Sequence, residues 1–404
     1  MLSLIAWRNV WRSPGRSLTI IMAIVVGVSS LAFMIGFFKS FIVVLVNNGI
    51  NADYSHIQIH HPEFKKDYET RYTVPNPDDL RNFLSKQDSI KAVSSRVIVN
   101  GMVASAKAAN GVAVYGIDPL AEGQVTRLDS SLIEGGYFQN IKRNPILISY
   151  KLAENLKVKL RSKVVITVQN VDGNVISGAF RVEGIFETKS PRINEMVVYV
   201  RDNDLRELLG LEGGVHEVAL LLDHDDAETP LSTRLSSQFP GYLVESWRSL
   251  APELDMMQSQ MGVSMTAILI IIMGALCFGI VNTMLMAVLE RVKELGMLMA
   301  VGMKKSRVFM MIVIETLFMA GLGAPIGIVI GLAINTYFEN TGIDLTAYSD
   351  GLKDYGYDTI FYPSIAVSDY VMIAMGVGLT AILASVYPAR KATKLKPIEA
   401  LHTI

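Results

Sequence analysis

The patterns in this 404-residue chain that come nearest to a nucleotide-binding or catalytic motif fail on spacing or composition. A phosphate-binding loop needs G-x-x-x-x-G-K-[ST], but Gly296 and the next glycine are six residues apart, and Met303 stands before Lys304. The catalytic patterns HExxH, GxSxG and SxxK do not occur. Cys277 is the only cysteine, so an intramolecular disulfide and a Cys-based metal cluster are excluded. The sequence predicts no enzyme activity and no ATP, cofactor or metal site in this chain.

Three histidines, His56, His60 and His61, are close enough in sequence to suggest a metal site. Polar and apolar residues alternate through 55–61, as they do in a strand with one face in the core. We therefore interpret His56, Gln58 and His60 as the solvent-facing side of a strand. Scattered acidic residues elsewhere in the same region are interpreted as solvated surface.

One acidic residue, Glu315, lies inside a long apolar stretch. An intramembrane carboxylate is a functional hypothesis by default, for example in a proton relay. Glu315 follows Arg307 by eight residues, about 12 Å along a helix, which places it near the headgroups. The other apolar stretches offer no buried ionisable partner. Interhelical hydrogen bonding or snorkelling is therefore favoured over a proton pathway.

Glycines recur at four-residue spacing in the same apolar stretch, at Gly323, Gly327 and Gly331. Small residues at this spacing let two membrane helices approach closely. The spacing predicts that this helix packs tightly against a neighbour.

The elements that carry these residues are predicted from composition. Half of the chain is hydrophobic, and its mean hydropathy is +0.35, too apolar for ordinary soluble domains. Four stretches are long and apolar enough to cross a bilayer, which takes about 20 residues. The predicted transmembrane helices are 18–46, 261–289, 308–338 and 370–389.

The distribution of Lys and Arg predicts the orientation of these helices. The segments 1–17, 290–307 and 390–404 together hold twelve basic residues against three acids, whereas 339–369 holds one Lys against six acids. Cytoplasmic flanks are enriched in Lys and Arg. Both termini, including an amphipathic segment at 1–17, are therefore predicted to be cytoplasmic. The segments 47–255 and 339–369 are predicted to be extracytoplasmic.

Residues 47–255 are predicted to form a large α+β domain between the first and second transmembrane helices. Lys163–Val171 and Asn174–Glu187 are predicted as a β-hairpin, and Asp172-Gly173 as its type I′ turn. Val215–Asp223, Ala227–Phe239 and Tyr242–Trp247 are predicted as a strand, a helix and a strand that form a small lobe. Polar helical segments are predicted to continue directly into the first two transmembrane helices.

Among the predicted cytoplasmic segments, 290–302 is the most informative about function. Val292, Leu295, Met299 and Gly302 recur at helical spacing on one side, and the charged residues hold the other. Periodicity alone leaves two interpretations open. One is an interfacial helix that turns the chain round, and the other is a short helix presented to a cytoplasmic partner.

Three sequence signatures resemble those of the FtsX/MacB/LolC-LolE superfamily of ABC transporter permeases. They are AWRNVWRSPGRSLTIIMAIVVGV near the N-terminus, ERVKELGMLMAVG after Asn282, and YPARKATKLKPIEAL near the C-terminus. Weaker matches in the predicted domain, HIQIHHPEF, VYGIDP, ILISYKLAENLKVKLRSKV and FRVEGIF, resemble the lipoprotein-releasing LolC/LolE branch.

This resemblance implies roles for specific residues. The second signature is the coupling helix of the family, which contacts the ATPase, and its matching residues here are Glu290, Arg291, Glu294 and Gly302. The third signature corresponds to a cytoplasmic tail motif, whose matching residues are Pro388, Arg390, Ala392, Pro397, Glu399 and Leu401.

The resemblance also implies a function and partners. By this resemblance the chain is expected to be a permease of the bacterial inner membrane that works with a second permease copy, identical or paralogous. ATP and Mg are bound by a separate cytoplasmic ABC ATPase dimer, and nucleic acid is not expected as a partner. ATP-driven dimerisation would do work on an extracytoplasmic cargo, with release of a lipoprotein, alone or to a periplasmic carrier, favoured. The alternatives are MacB-like efflux through an outer-membrane partner and FtsX-like regulation of cell-wall hydrolases.

Overall fold

The computed structural model describes residues 2–74, 77–354 and 356–394. In chain order its helices are α1 (Leu2–Arg12), α2 (Pro14–Gly49), α3 (Phe64–Asp67), α4 (Pro77–Leu84), α5 (Pro119–Thr126), α6 (Tyr150–Leu156), α7 (Pro191–Met196), α8 (Asp202–Leu209), α9 (Glu228–Gln238), α10 (Trp247–Leu250), α11 (Pro252–Glu290), α12 (Val292–Ala300), α13 (Lys305–Thr341), α14 (Ser349–Asp354) and α15 (Val367–Thr393).

The strands are β1 (Ile57–His60), β2 (Ile90–Ala104), β3 (Ala109–Ile117), β4 (Leu132–Gly135), β5 (Pro145–Ser149), β6 (Lys163–Gln169), β7 (Val175–Phe186), β8 (Val197–Arg201), β9 (Glu217–Leu222), β10 (Leu243–Ser246), β11 (Ile343–Asp344) and β12 (Ile360–Phe361). The chain divides into two compact units. One comprises 2–42, 259–345 and 360–394, and the other comprises 43–258 and 346–359.

Within the described residues, four helices are long and apolar enough to cross a membrane. They are α2 with the π-helical turn Ile50–Tyr54, α11, α13 and α15. Helix α11 runs without interruption from Pro252 to Glu290, and α2 from Pro14 to Gly49, which confirms that polar helical segments continue into the first two membrane helices.

The glycines of α13 pack against α2. A Cβ atom placed on Gly327 would lie 2.8 Å from the Cβ of Val28 and 2.9 Å from the carbonyl oxygen of Val25. The same atom on Gly331 would lie 2.8 Å from the Cβ of Ala32. The prediction of close helix packing from the glycine spacing is confirmed, because a larger side chain has no room there.

In the second unit, β1 lies between β9 and β10 and is antiparallel to both. The predicted strand, helix and strand are therefore present as β9, α9 and β10, with β1 inserted between the two strands. Strand β9 also pairs with the first half of β2. Apolar residues of β1, β9, α4 and α9 form one core, which includes Ile57, Leu80, Leu220, Leu231 and Leu235.

The second half of β2 enters another lobe. Its pairings run from β2 to β3, β8, β5, β7 and β6, and β6 returns to β2, so six strands close into a barrel-like ring. All six strands contribute to one apolar core, together with α6 and α8. Strand β2 is 15 residues long, so its first half pairs in one lobe and its second half in the other.

The predicted hairpin is confirmed as β6 and β7, paired from Lys163 with Arg181 to Gln169 with Val175. The type I′ turn is wrong. That turn needs positive φ at both central residues, but only Gly173 has it, at +81°. The Asn170 side chain instead accepts hydrogen bonds from the backbone N–H groups of Asp172 and Asn174, which favours a longer loop.

The prediction that His56, Gln58 and His60 face solvent is also wrong. Their exposed fractions are 6%, 6% and 1%. Phe64 stacks on His60 with ring centroids 6.0 Å apart, and His60 Nδ1 donates to the carbonyl oxygen of His216 at 3.1 Å. Strand β1 is thus covered on both faces, and alternation cannot show which side is exposed when polar partners cover the second face.

A buried ionic cluster on that face was also missed by the sequence reasoning. The Arg96 guanidinium donates two hydrogen bonds to Glu122, at 2.9 and 2.7 Å, and another to Glu217. The hydroxyl groups of Ser94 and Thr126 also donate hydrogen bonds to the Glu122 carboxylate. We call Arg96, Glu122 and Glu217 the arginine triad. The interpretation of acidic residues as solvated surface is wrong for these two glutamates, because Arg96 compensates their charge inside the protein.

Candidate functional site

The coupling segment predicted at 290–302 forms a sharp connection between two membrane helices. Helix α11 ends at Glu290, and Arg291 breaks the helical geometry with φ −99° and ψ +18°. Helix α12 then runs to Ala300, and Gly302 follows with φ +103°, a backbone conformation that favours glycine. Gly302 therefore lies beyond the helix and sets the turn that leads into α13.

The apolar residues of α12 that the helical periodicity placed on one side do face the protein interior. Leu295 is 5% exposed, and Val292 and Met299 are half-buried. Met297 and Val301, in contrast, are exposed. The short helix is held by a narrow apolar contact and leaves much of its surface open.

Two acidic residues of the segment pair with arginines that precede or begin the first membrane helix. Glu294 contacts Arg12 at 2.6 Å, and Glu290 contacts Arg16. The side chains of Glu294 and Glu290 remain 42% and 46% exposed. Because exposed pairs contribute only about 0–1 kcal/mol, these carboxylates can exchange their partners at little cost.

Arg291 points in the other direction, into the helix bundle. Its Nη1 contacts Glu315 Oε1 at 3.2 Å, and its Nη2 donates to the backbone oxygen of Asn9 at 3.1 Å. The side chains of Arg291 and Glu315 are 14% and 8% exposed. The sequence reasoning missed this partner of Glu315 because it considered only the membrane helices. The arginine of the adjacent connection was the signal that could have revealed it.

Helix α1 packs alongside this site. Ala6 and Val10 are fully buried, and the Trp7 ring meets Phe318 of α13 edge-on at 5.4 Å between centroids. Trp11 is 55% exposed, and Leu4 is 59% exposed. Large amphipathic aromatic rings beside arginines are typical of a helix that lies in the membrane interface.

A cavity of about 580 Å³ lies between α1, α12 and the ends of α11 and α13. Apolar residues, including Ile5, Met284, Leu298 and Met311, make most of its wall. Arg12, Arg291, Glu294 and Glu315 also line it. Two charged residues of the coupling segment, Arg291 and Glu294, thus line one opening together with Arg12 and Glu315.

The tail motif is placed in part. Pro388 and Ala392 are buried on α15, and Arg390 is exposed. Pro397, Glu399 and Leu401 lie outside the described residues. The described half of the motif therefore extends the last membrane helix, with Arg390 at its surface.

The second unit contains a cavity of its own, of about 660 Å³, beside the arginine triad. His60, Lys65, Tyr115, Arg192 and Glu217 are among its lining residues. Burial lowers the pKa of His60 to about 3 and that of His216 to about 4, so both imidazoles are neutral near pH 7. Burial also raises the pKa of the Glu217 carboxyl.

Two family models match successive parts of the chain. Residues 17–237 match the model of the MacB-like periplasmic core domain, and residues 266–397 match that of the FtsX-like permease C-terminal domain. The first match alone covers more than half of the chain. The protein belongs to the FtsX/MacB/LolC-LolE superfamily of ABC transporter permeases, and it is a multi-pass protein of the inner membrane.

Relatives extend the match to the full length. The chain is 25% identical over 429 aligned positions to the lipoprotein-releasing system transmembrane protein LolC of Neisseria meningitidis, with 100% of both chains covered. It is 22% identical to LolE of Haemophilus influenzae, over 83% of this chain and 82% of that one. It is 31% identical to the ABC transporter permease YtrF of Bacillus subtilis, over 55% and 52%.

Proposed function

We propose that this chain is the permease subunit of an ABC transporter in which a separate cytoplasmic ATPase dimer drives work on an extracytoplasmic cargo. In this proposal both termini and the coupling segment are cytoplasmic, in accord with their excess of Lys and Arg. The domain formed by 47–255 is extracytoplasmic. A second permease copy, identical or paralogous, completes the transporter, and ATP and Mg are bound by the ATPase.

The observation that carries the proposal is the geometry of Glu290 and Glu294. Glu290 is the last residue of α11, Glu294 lies on the short helix α12, and each carboxylate is held by an arginine but remains more than 40% exposed. A carboxylate that is positioned in advance loses little conformational freedom when a basic partner binds. Exposed Met297 beside Glu294 supplies an apolar contact.

The mechanism follows from the rigidity of the connecting elements. ATP-dependent dimerisation of the ATPase would move two coupling segments together. Helices α11 and α13 are each longer than 35 residues, so a displacement at one end is carried along the whole helix. The membrane helices carry few ionisable residues, which makes them a poor pathway for a polar solute and favours mechanical work outside the membrane.

A lipoprotein is the cargo that we favour. Support comes from the lipoprotein-releasing names of the relatives that align over most or all of this chain. Efflux of a drug, peptide or toxin is the second candidate, since residues 17–237 match the MacB-like periplasmic core domain.

Purification of the full-length protein with its native partners tests both levels of the proposal. We expect a soluble ATPase to copurify and the isolated chain to hydrolyse no ATP. Photocrosslinking from the domain formed by 47–255 should capture an acylated protein. Capture of an outer-membrane tunnel protein would favour efflux, and robust ATP hydrolysis by the chain alone would contradict the permease assignment.

A further inference from the structure

The Arg291 side chain connects three elements at one point. It sits at the break between α11 and α12, contacts Glu315 on α13 at 3.2 Å, and donates to the backbone of Asn9 on α1 at 3.1 Å. We call Arg291, Glu315 and the Asn9 carbonyl the inner joint.

The inner joint differs physically from the two ion pairs outside it. Arg12–Glu294 is open to solvent on both sides, with exposed fractions of 61% and 42%. The pair in the inner joint is exposed by only 14% and 8%. Water and salt weaken the outer pair, whereas separating the inner pair would leave a buried charge without compensation.

From this contrast we infer that Arg291 and Glu315 are positioning residues that connect the coupling segment to α13, and that they do not contact the ATPase. This inference rests on the proposed function. When the ATPase pulls on Glu290 and Glu294, the outer pairs exchange partners, and the inner joint stays closed. Helix α13 and helix α1 then move with the coupling segment as one body.

The packing around the joint supports this division. Gly323 and Gly327 hold α13 directly against α2, with Ile24 and Val28 as the contacting side chains. A displacement of α13 must therefore also displace α2. Glu315 lies on the same helix as these glycines, eight residues before Gly323 and twelve before Gly327, so the joint acts on a closely packed pair of membrane helices.

Spin labels on full-length protein in lipid with its copurified ATPase test this inference. Cys277 is first replaced by Ser, and single cysteines are placed at Val301 on the coupling segment and at Tyr337 near the far end of α13, both exposed positions. In the parent protein, ATP with Mg should change the label spectrum at both positions. In Glu315→Gln we expect the response at Val301 to persist and the response at Tyr337 to fall at least fivefold.

The reversed pair Arg291→Glu with Glu315→Arg should restore the Tyr337 response, because the joint needs opposite charges and not a particular order. Arg12→Ala, which breaks an exposed pair, is the matched control and should leave the Tyr337 response unchanged. A normal Tyr337 response in Glu315→Gln, or a reversed pair that inserts normally without recovering it, would overturn the inference. If ATP changes neither label in the parent protein, the proposed function itself fails.

Discussion

Charged residues are buried in both units of the molecule, but they are arranged differently. In the domain formed by 47–255, Arg96 is enclosed by two carboxylates that belong to a neighbouring strand and to α5. Around the coupling segment, the paired side chains are nearly buried in the inner joint, whereas those of Arg12 and Glu294 are exposed to solvent. The first arrangement fixes one structure, whereas the second combines a fixed contact with contacts that can be exchanged.

The arginine triad should give the largest effect. Arg96→Met removes the charge that compensates Glu122 and Glu217, both of which are less than 5% exposed, and should lower stability by about 3–5 kcal/mol. Trp247, which is buried in the same unit, reports unfolding by fluorescence once Trp7 and Trp11 are replaced by Phe. Lys66→Met, which removes an exposed pair with Glu63, is the control. Equal stability of the two variants would contradict the assigned role of the triad.

A steric change in the membrane helices should have a smaller effect. Gly327→Val places its Cβ against Val28 and Val25 and should cost about 1–3 kcal/mol. Gly321→Val on the same helix is a matched control, because a Cβ there meets nothing within 4 Å. The midpoint of thermal unfolding in detergent should fall in the first variant only. Similar midpoints for both would show that α13 tolerates expansion against α2.

Acidification should destabilise the domain through its two buried histidines. The pKa values of His60 and His216 are lowered to about 3 and about 4, below an unfolded value of about 6.5. Between pH 6.5 and about 4 the unfolded chain therefore binds more protons, and stability is lost as pH falls, by up to about 1.4 kcal/mol per pH unit for each histidine. The raised pKa of Glu217 acts in the opposite sense, because there the folded state binds more protons.

His60→Gln separates these contributions. This variant should show a shallower loss of stability between pH 6.5 and 5, measured by Trp247 fluorescence during thermal unfolding. Lys65, Glu245 and Arg96 lie close enough to influence His60, so their charges must stay unchanged in the comparison. An unchanged pH profile in His60→Gln would show that this histidine does not titrate with folding.

The two regions also differ in how much of them the sequence could predict. Apolar length and glycine spacing identified the membrane helices and the packing of Gly323, Gly327 and Gly331, because these signals are local. Local alternation in β1 gave the wrong exposure for His60. Its cover comes from Phe64 and from the arginine triad, whose members lie 26 to 121 residues apart in sequence. The partner of Glu315 was missed because Arg291 lies in the connection between two membrane helices and not within one of them.

The smallest effect on stability, and the most informative for function, is expected at the outer pairs. Glu290→Lys with Glu294→Lys breaks two exposed contacts, so stability should change by no more than about 1 kcal/mol, and membrane insertion should be normal. If these carboxylates dock the ATPase, stimulation of ATP turnover by the permease should nevertheless be lost.

Arg12→Ala with Arg16→Ala breaks the same two pairs and keeps both carboxylates, so it separates loss of the pairs from loss of the docking charges. We expect this variant to retain most of the ATPase stimulation. Leu295→Asp should instead reduce the yield of folded protein, because Leu295 is 5% exposed and holds α12 in place. If the double arginine variant loses as much ATPase stimulation as the double glutamate variant, intact ion pairs are required for coupling, and the carboxylates alone are not sufficient. If neither double variant alters ATPase stimulation, the segment is a connector, and the difference between exchangeable and fixed contacts has no role in coupling.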